Sequence, residues 1–205
     1  MGYTHYWKSQ RGIDPQRKAV FLKAVRALLD QASCPNLAYE SDETDKPPRI
    51  DEEAIRFNGI EENGHETFYL DLNKPIDFAF TKTALKPYDM AVTAVLTLAH
   101  HFDPEWLEIS SDGDAEEWQE GVWLARQVIP EARNPLDSDG EDPGNGPAQA
   151  CPMCTSSAID RQPKLDRTLT DLSDFTDSGE ARLLGYTCGD CGEKFWVSEA
   201  AGESA

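Results

Sequence analysis

The stretch Ile76-Asp-Phe-Ala-Phe-Thr-Lys-Thr-Ala-Leu-Lys-Pro-Tyr-Asp-Met-Ala-Val-Thr-Ala-Val-Leu-Thr-Leu-Ala-His-His-Phe102 changes its apolar period half-way along. Up to Phe80 the side chains alternate, Ile76, Phe78 and Phe80 against Asp77 and Ala79, which is the period of a strand. From Pro87 onward Ala91, Val92, Val95, Leu98, Ala99 and Phe102 recur at helical spacing, and proline suits a first helical turn. Upstream, Ile55 and Phe57 alternate with Arg56 and Asn58, and Phe68 and Leu70 with Tyr69 and Asp71, with Asn63-Gly64 as a turn between them. Three strands in succession predict an antiparallel meander.

Two further helices flank this centre. Asp14 caps one that begins at Pro15 and carries Val20, Phe21, Ala24, Val25, Leu28 and Leu29 on one face. Asp114 with Glu117 forms a capping-box pattern ahead of Trp118, Val122, Ala125 and Ile129, and Pro130 ends that run. The aromatic start Tyr3 to Trp7 and the segment Trp106 to Ser110 have the length of strands. The fold class expected is α+β: a small antiparallel or mixed sheet with three helices packed on one face. Glu40 to Glu53, polar and containing Pro47-Pro48, reads as a mobile loop within this domain.

The 205 residues hold 38 acidic and 19 basic side chains, a formal charge of −19. That excess argues against broad binding to nucleic acid or to an anionic membrane, which needs clustered Lys and Arg. It suits a high-salt environment or ordinary solubility, and composition does not separate the two. No apolar run reaches the roughly 20 residues of a membrane span, and the start lacks the plan of a secretory signal, so a cytoplasmic chain is expected. Residues 131–150, rich in Pro, Gly and carboxylates, read as a linker between a domain at 1–130 and a small module at 151–198, with a disordered tail at 199–205.

In that module Cys151-Pro-Met-Cys154 and Cys188-Gly-Asp-Cys191 form two Cys-x-x-Cys knuckles. Each knuckle presents two thiolates on one tight turn, and two knuckles close a tetrahedron around Zn²⁺. Leu183–Thr187 and Glu193–Val197 read as the arms of a hairpin, so this part resembles a zinc ribbon with one structural Zn²⁺ on Cys151, Cys154, Cys188 and Cys191. The 33-residue polar insertion between knuckles is expected to loop out. Cys34, left over beside Pro35, reads as a plain semi-buried thiol.

Other chemistry-bearing residues lie in the first domain. Tyr3, His5 and Trp7 share one side of the opening strand, Thr4 and Tyr6 the other, and flat rings with polar tips suit stacking on a base. Lys82 and Lys86 precede a helix N-terminus, where free N–H groups favour an anion, although Asp89 in the first turn serves the same dipole. Ser110-Ser-Asp-Gly-Asp114 is explained by turn and cap chemistry without a cation. His65 with Glu66, and His100 with His101, are acid–base candidates with no nucleophile beside them.

Met1-Gly-Tyr-Thr-His-Tyr-Trp7, Phe57-Asn-Gly59 with Gly64-His-Glu-Thr-Phe-Tyr-Leu70, Lys82 to Asp89 with Val92-Thr-Ala-Val95, and Ser110-Ser-Asp-Gly113 resemble a group of uncharacterised phage, prophage and bacterial proteins. The resemblance covers about residues 1–130 and implies no activity. It implies that the opening strand, the Lys82–Asp89 segment and the Ser110–Gly113 turn belong to one site, and that the linker and ribbon are an addition. The expected site combines His5, Tyr6 and Trp7 for ring contacts, Lys82 and Lys86 for negative charge, and Asp112 for hydroxyls. It would take a small anionic or nucleotide-like ligand, with the ribbon contacting a macromolecular partner. The alternatives are a hydrolase or transferase using His5, His65 or Asp112 for acid–base work, and a pure protein–protein adaptor.

Overall fold

The computed structural model describes residues 2–137 in full, and beyond them the backbone of four strands at 159–161, 167–169, 181–188 and 194–198. Two units result, Met1–Val128 with Ala132–Asp137, and Ile129–Glu131 with Ser138–Ala205. Of the expected linker at 131–150, Ala132–Asp137 belong instead to the first unit, where Ala132 and Asn134 are buried; residues 138–150, the tail at 199–205 and Cys151, Cys154 and Cys191 lie outside the described residues.

The first unit is α+β. Its chain order is β1 (Thr4–Ser9), α1 (Pro15–Leu29), β2 (Leu37–Ala38), β3 (Arg49–Ile50), β4 (Ala54–Gly59), β5 (Phe68–Asp71), β6 (Ile76–Lys82), α2 (Asp89–Phe102), β7 (Glu108–Ser111) and α3 (Gln119–Arg126). The expected single meander is instead split between two sheets. One has the order β6-β1-β7, all antiparallel; in the other, β4 pairs with β2 and β3 along one edge and with β5 along the other. The segment read as a loop at 40–53 thus carries β3, whose Arg49 and Ile50 lie opposite Arg56 and Ile55. The Asn63-Gly64 turn is a short 3₁₀ turn at Glu61–Asn63, organised by the buried Asn58 side chain. Asn58 Oδ1 accepts from Gly59 N–H and His65 N–H, while Nδ2 donates to the His65 carbonyl and Thr67 Oγ1.

All three helices form near their expected places, with ends shaped by their caps. Asp14 accepts from Gln16 N–H at 2.8 Å, and Pro15 is the first residue of α1. The capping box is built: Asp114 Oδ1 accepts from Glu117 N–H, and Glu117 Oε2 from Asp114 N–H, each at 3.1 Å. Regular α-helix begins only at Gln119, and α2 at Asp89 rather than Pro87. Helix α2 is the centre of the core, since every residue from Ala91 to Ala99 is buried. Phe21 of α1 packs edge-on against Trp106, and Trp7 of β1 meets Phe68 of β5, joining helices and both sheets in one core.

Strand β6 faces the opposite way from ordinary amphipathic patterning, in which the bulky apolar side chains turn inward. Phe78 and Phe80 are 64% and 51% exposed, while Thr81 is sealed. The register explains this: His5 lies opposite Thr81 and Trp7 opposite Ala79, so the large inward side chains of β1 leave room only for small neighbours.

A buried carboxylate ties α1 to the end of α2. Asp103, 1% exposed, receives both Arg11 guanidinium nitrogens at 2.7 and 2.8 Å and the Asp14 N–H at 3.1 Å. Burial alone would raise this carboxyl, but the Arg11 hydrogen bonds outweigh it and hold it below the usual range. Asp103→Ala should cost about 2 kcal/mol, less than for a fully buried pair because the Arg11 side chain is half exposed and rehydrates. Urea unfolding measures this directly. By the sign of that shift, the stability the carboxylate contributes is present at neutral pH and lost as pH falls below its unfolded-state value.

In the second unit β8 (Ile159–Arg161), β9 (Arg167–Leu169), β10 (Ala181–Cys188) and β11 (Lys194–Ser198) form an antiparallel sheet. The expected hairpin is present, with Thr187 opposite Lys194 and Leu184 opposite Val197. The insertion does not simply loop out, because β8 and β9 both pair with β10 on its other edge.

Candidate functional site

Antiparallel pairing of β1 with both neighbours divides the expected ligand residues between two faces. Tyr3, His5 and Trp7 point inward and are buried; Trp7 is 1% exposed and sealed against Phe68. Tyr6 points outward, where its hydroxyl donates to Asp112 Oδ1 at 3.1 Å. Alternation along β6 places Lys82 on that same outer face with Phe78 and Phe80. His5 and Trp7 therefore do not share a surface with Tyr6, Lys82 and Asp112, and the single composite pocket resolves into two distinct environments. Lys86 sits half-buried in the turn that leads into α2.

The outer environment is a tile of rings. Tyr6 lies 6.0 Å from Phe78 and 6.4 Å from Phe80, Phe78 and Phe80 are 5.9 Å apart, and the interplanar angles run from 30° to 40°. Lys82 ends this row on β6, and Lys8 pairs with Glu108 at 2.8 Å.

The inner environment centres on His5. Its Nδ1 is 2.9 Å from Ser111 Oγ and its Nε2 is 2.7 Å from Asp89 Oδ1. Ser111 Oγ also accepts from Gly113 N–H at 3.0 Å and from Trp118 Nε1–H at 3.3 Å, so its own proton goes to Nδ1. The imidazole consequently carries its proton on Nε2 and donates it to the Asp89 carboxylate, which also accepts from Thr83 Oγ1. Trp118 and Tyr3 stand edge-on to the ring at 5.0 and 5.1 Å. The Tyr3 hydroxyl is buried beside Ser111 without a well-aligned hydrogen bond; burial first, then the Asp89 charge, pushes its pKa up against the opposing effect of the Ser111 side chain, so it stays a protonated donor.

Asp89 is the first residue of α2, so its carboxylate occupies the helix N-terminus that Lys82 and Lys86 were expected to offer an anion. The turn before it is unusual. Ala84 and Leu85 have φ of 52° and 56°, and Lys86 N–H closes the turn on the Thr83 carbonyl at 3.1 Å. Two consecutive left-handed non-glycine residues cost about 1 kcal/mol each. Leu85 is exposed, so Leu85→Gly should raise stability by about 0.5 kcal/mol after the entropy of the more flexible unfolded chain is counted. A lower melting temperature would show that Leu85 makes a compensating contact.

The four segments quoted for the resemblance do meet here. Thr83 and Ala84 N–H groups both donate to the Tyr3 carbonyl, Asp112 N–H to the Thr4 carbonyl, Lys82 N–H to Glu66 Oε2, and the Tyr88 hydroxyl to the Glu66 carbonyl. Sequence reasoning missed Ser111 and Asp89 as partners of His5 and Thr83 as a partner of Asp89, and missed the exposed Phe78 and Phe80. The one legible signal was large residues on β1 facing small ones on β6.

The other acid–base candidates stand apart. His65 is exposed, and burial lowers the pKa of both His100 and His101 at the end of α2, with the His100 charge adding to the effect on His101. Burial pushes the Cys34 thiol up to about 12, which keeps it protonated and unreactive. Among the described residues no cluster of His, Cys, Asp or Glu could hold a metal ion, and no helix is long and apolar enough to cross a membrane. Comparison with family models, with curated proteins and with solved structures finds no match.

Proposed function

We propose that the first unit is a cytoplasmic binding domain that takes a small, flat, anionic or nucleotide-like ligand on the outer face of the β6-β1-β7 sheet. In the same proposal the second unit is a zinc ribbon that contacts another macromolecule. The observation that carries this is the ring tile, with Phe78 and Phe80 64% and 51% exposed on a chain of net charge −19. A base stacks on such rings for about 1–3 kcal/mol. Lys82 supplies charge to a phosphate, and Asp112, already accepting from Tyr6, accepts from a sugar hydroxyl. Charges beyond about 8 Å are screened at physiological salt, so a phosphate here responds to Lys82 and its immediate neighbours more than to the net charge of the chain.

Titration of the full chain with adenosine monophosphate, read by calorimetry, tests this reading. Phe80→Ala and Lys82→Ala should each weaken binding about tenfold or more without moving the melting temperature. Mononucleotides that give no heat with the folded chain sink the ligand and leave the adaptor reading of the same rings. An enzymatic reading is favoured by a separate observation, the His5–Asp89–Ser111 chain on the inner face.

A further inference from the structure

We infer that Ser111 is a nucleophile for acyl transfer from neutral carboxylic esters, with His5 as its general base and Asp89 as the residue that positions His5. This does not depend on the ring-face reading, since it concerns the opposite face of the sheet. The connectivity is that of a hydroxyl, an imidazole and a carboxylate in line: Ser111 Oγ to His5 Nδ1 at 2.9 Å, His5 Nε2 to Asp89 Oδ1 at 2.7 Å. The two ring nitrogens are exchanged relative to the usual serine triad, but imidazole acts as a base through either nitrogen once the other carries the proton.

Burial is graded as the chemistry needs. His5 is completely sealed, Asp89 is 14% exposed by side chain, and Ser111 is half-buried on β7, an edge strand of the sheet. Water is thus kept from the base, so that the imidazolium is stabilised by Asp89 in a low dielectric, while the residue that carries the hydroxyl is only half-buried. Thr83 Oγ1 holds the carboxylate in place. Gly113 N–H and Trp118 Nε1–H both favour negative charge on Ser111 Oγ, and the longer indole contact, 3.3 Å, is the one displaced when the oxygen attacks. The Tyr3 hydroxyl, buried beside Ser111 without a well-aligned hydrogen bond, lies against Gly113: a methyl added there would sit 2.1 Å from it. It is the available O–H donor for the charge that develops on the acyl oxygen.

In the first half of the reaction Ser111 Oγ bonds to the carbonyl carbon as its proton moves to His5 Nδ1. The carbon–oxygen bond to the alcohol then breaks, and the alcohol leaves with that proton. Water repeats the sequence, its proton passing through His5, and releases the carboxylic acid and free Ser111. A neutral ester is the substrate class because the carboxylates of Asp89, Glu117 and Asp114 all act on the Tyr3 hydroxyl beside Ser111 and oppose an anion there.

The test is intact-mass and peptide analysis of the full chain after reaction with an alkyl fluorophosphonate, together with p-nitrophenyl acetate turnover. One adduct per chain on Ser111 is expected, absent in Ser111→Ala and retained in Ser110→Ala. His5→Gln should slow labelling about a hundredfold or more. Asp89→Asn should slow the rate while the final stoichiometry stays at one adduct, a split that general loosening of the fold would not produce. An unlabelled wild-type chain, a label on any other residue, or equal labelling rates with and without the His5 imidazole overturns the inference.

Discussion

Stripping the protein of zinc with a strong chelator is expected to abolish the hairpin of β10 and β11 while the first unit keeps its unfolding transition. The proposed ligands are Cys151, Cys154, Cys188 and Cys191, and Cys188 is the last residue of β10, opposite Ile159. Structural zinc sites of four thiolates bind with apparent free energies of about 10–16 kcal/mol at neutral pH. Strands three to eight residues long make a small sheet, and so small a sheet gains little stability of its own, so metal binding and folding are expected to become one equilibrium. Elemental analysis of freshly purified protein should find one zinc per chain, and circular dichroism should lose strand signal on chelation and recover it on adding Zn²⁺. Protein that carries less than about half an equivalent of zinc, with its thiols in disulfides, ends the zinc-ribbon proposal.

Gly121→Ala is expected to destabilise the first unit by about 2 kcal/mol, although alanine is the better helix former. Gly121 lies in α3 where it crosses α2; a methyl there would come within 2.0 Å of Thr93 Oγ1 and 2.9 Å of the Ala94 backbone nitrogen. Thr93 cannot easily turn away, because its hydroxyl donates to the Asp89 carbonyl at 2.9 Å. The helices must separate, and overpacking of this kind costs about 1–3 kcal/mol, to which the looser packing along the rest of the crossing adds. Alanine's propensity advantage recovers about 1 kcal/mol, too little to reverse the sign. Urea denaturation of the two proteins measures the difference. An unchanged or higher midpoint would show that the α2–α3 crossing yields without cost.

Much of the local structure was legible because it depends on neighbours in sequence. Asp14 before Pro15, the Asp114/Glu117 box and the helical repeat from Ala91 to Phe102 each satisfy their own backbone or define their own face, and all three helices follow. The alternation of Tyr3, His5 and Trp7 against Thr4 and Tyr6 was also correct. It already implied that His5 and Trp7 could not share a surface with Tyr6. In the fold β1 lies beside β6, with His5 opposite Thr81.

Period and capping act within a few residues, so the order of amino acids was enough to specify the helices, the main strands, the α+β class and the hairpin arms at Leu183–Thr187 and Lys194–Val197. Which face of each strand meets the core is a long-range property, and it emerged only from the folded chain. The period of β6 allowed either face, and the bulk of His5 and Trp7 on the paired strand turned Phe78 and Phe80 outward. The division of the strands between two sheets likewise came from the fold, since pairing partners are set by burial between distant segments. So did the meeting of His5 with Asp89 and Ser111, 84 and 106 residues away along the chain, because a buried imidazole needs a partner at both nitrogens and the fold supplies them from a helix start and a neighbouring strand.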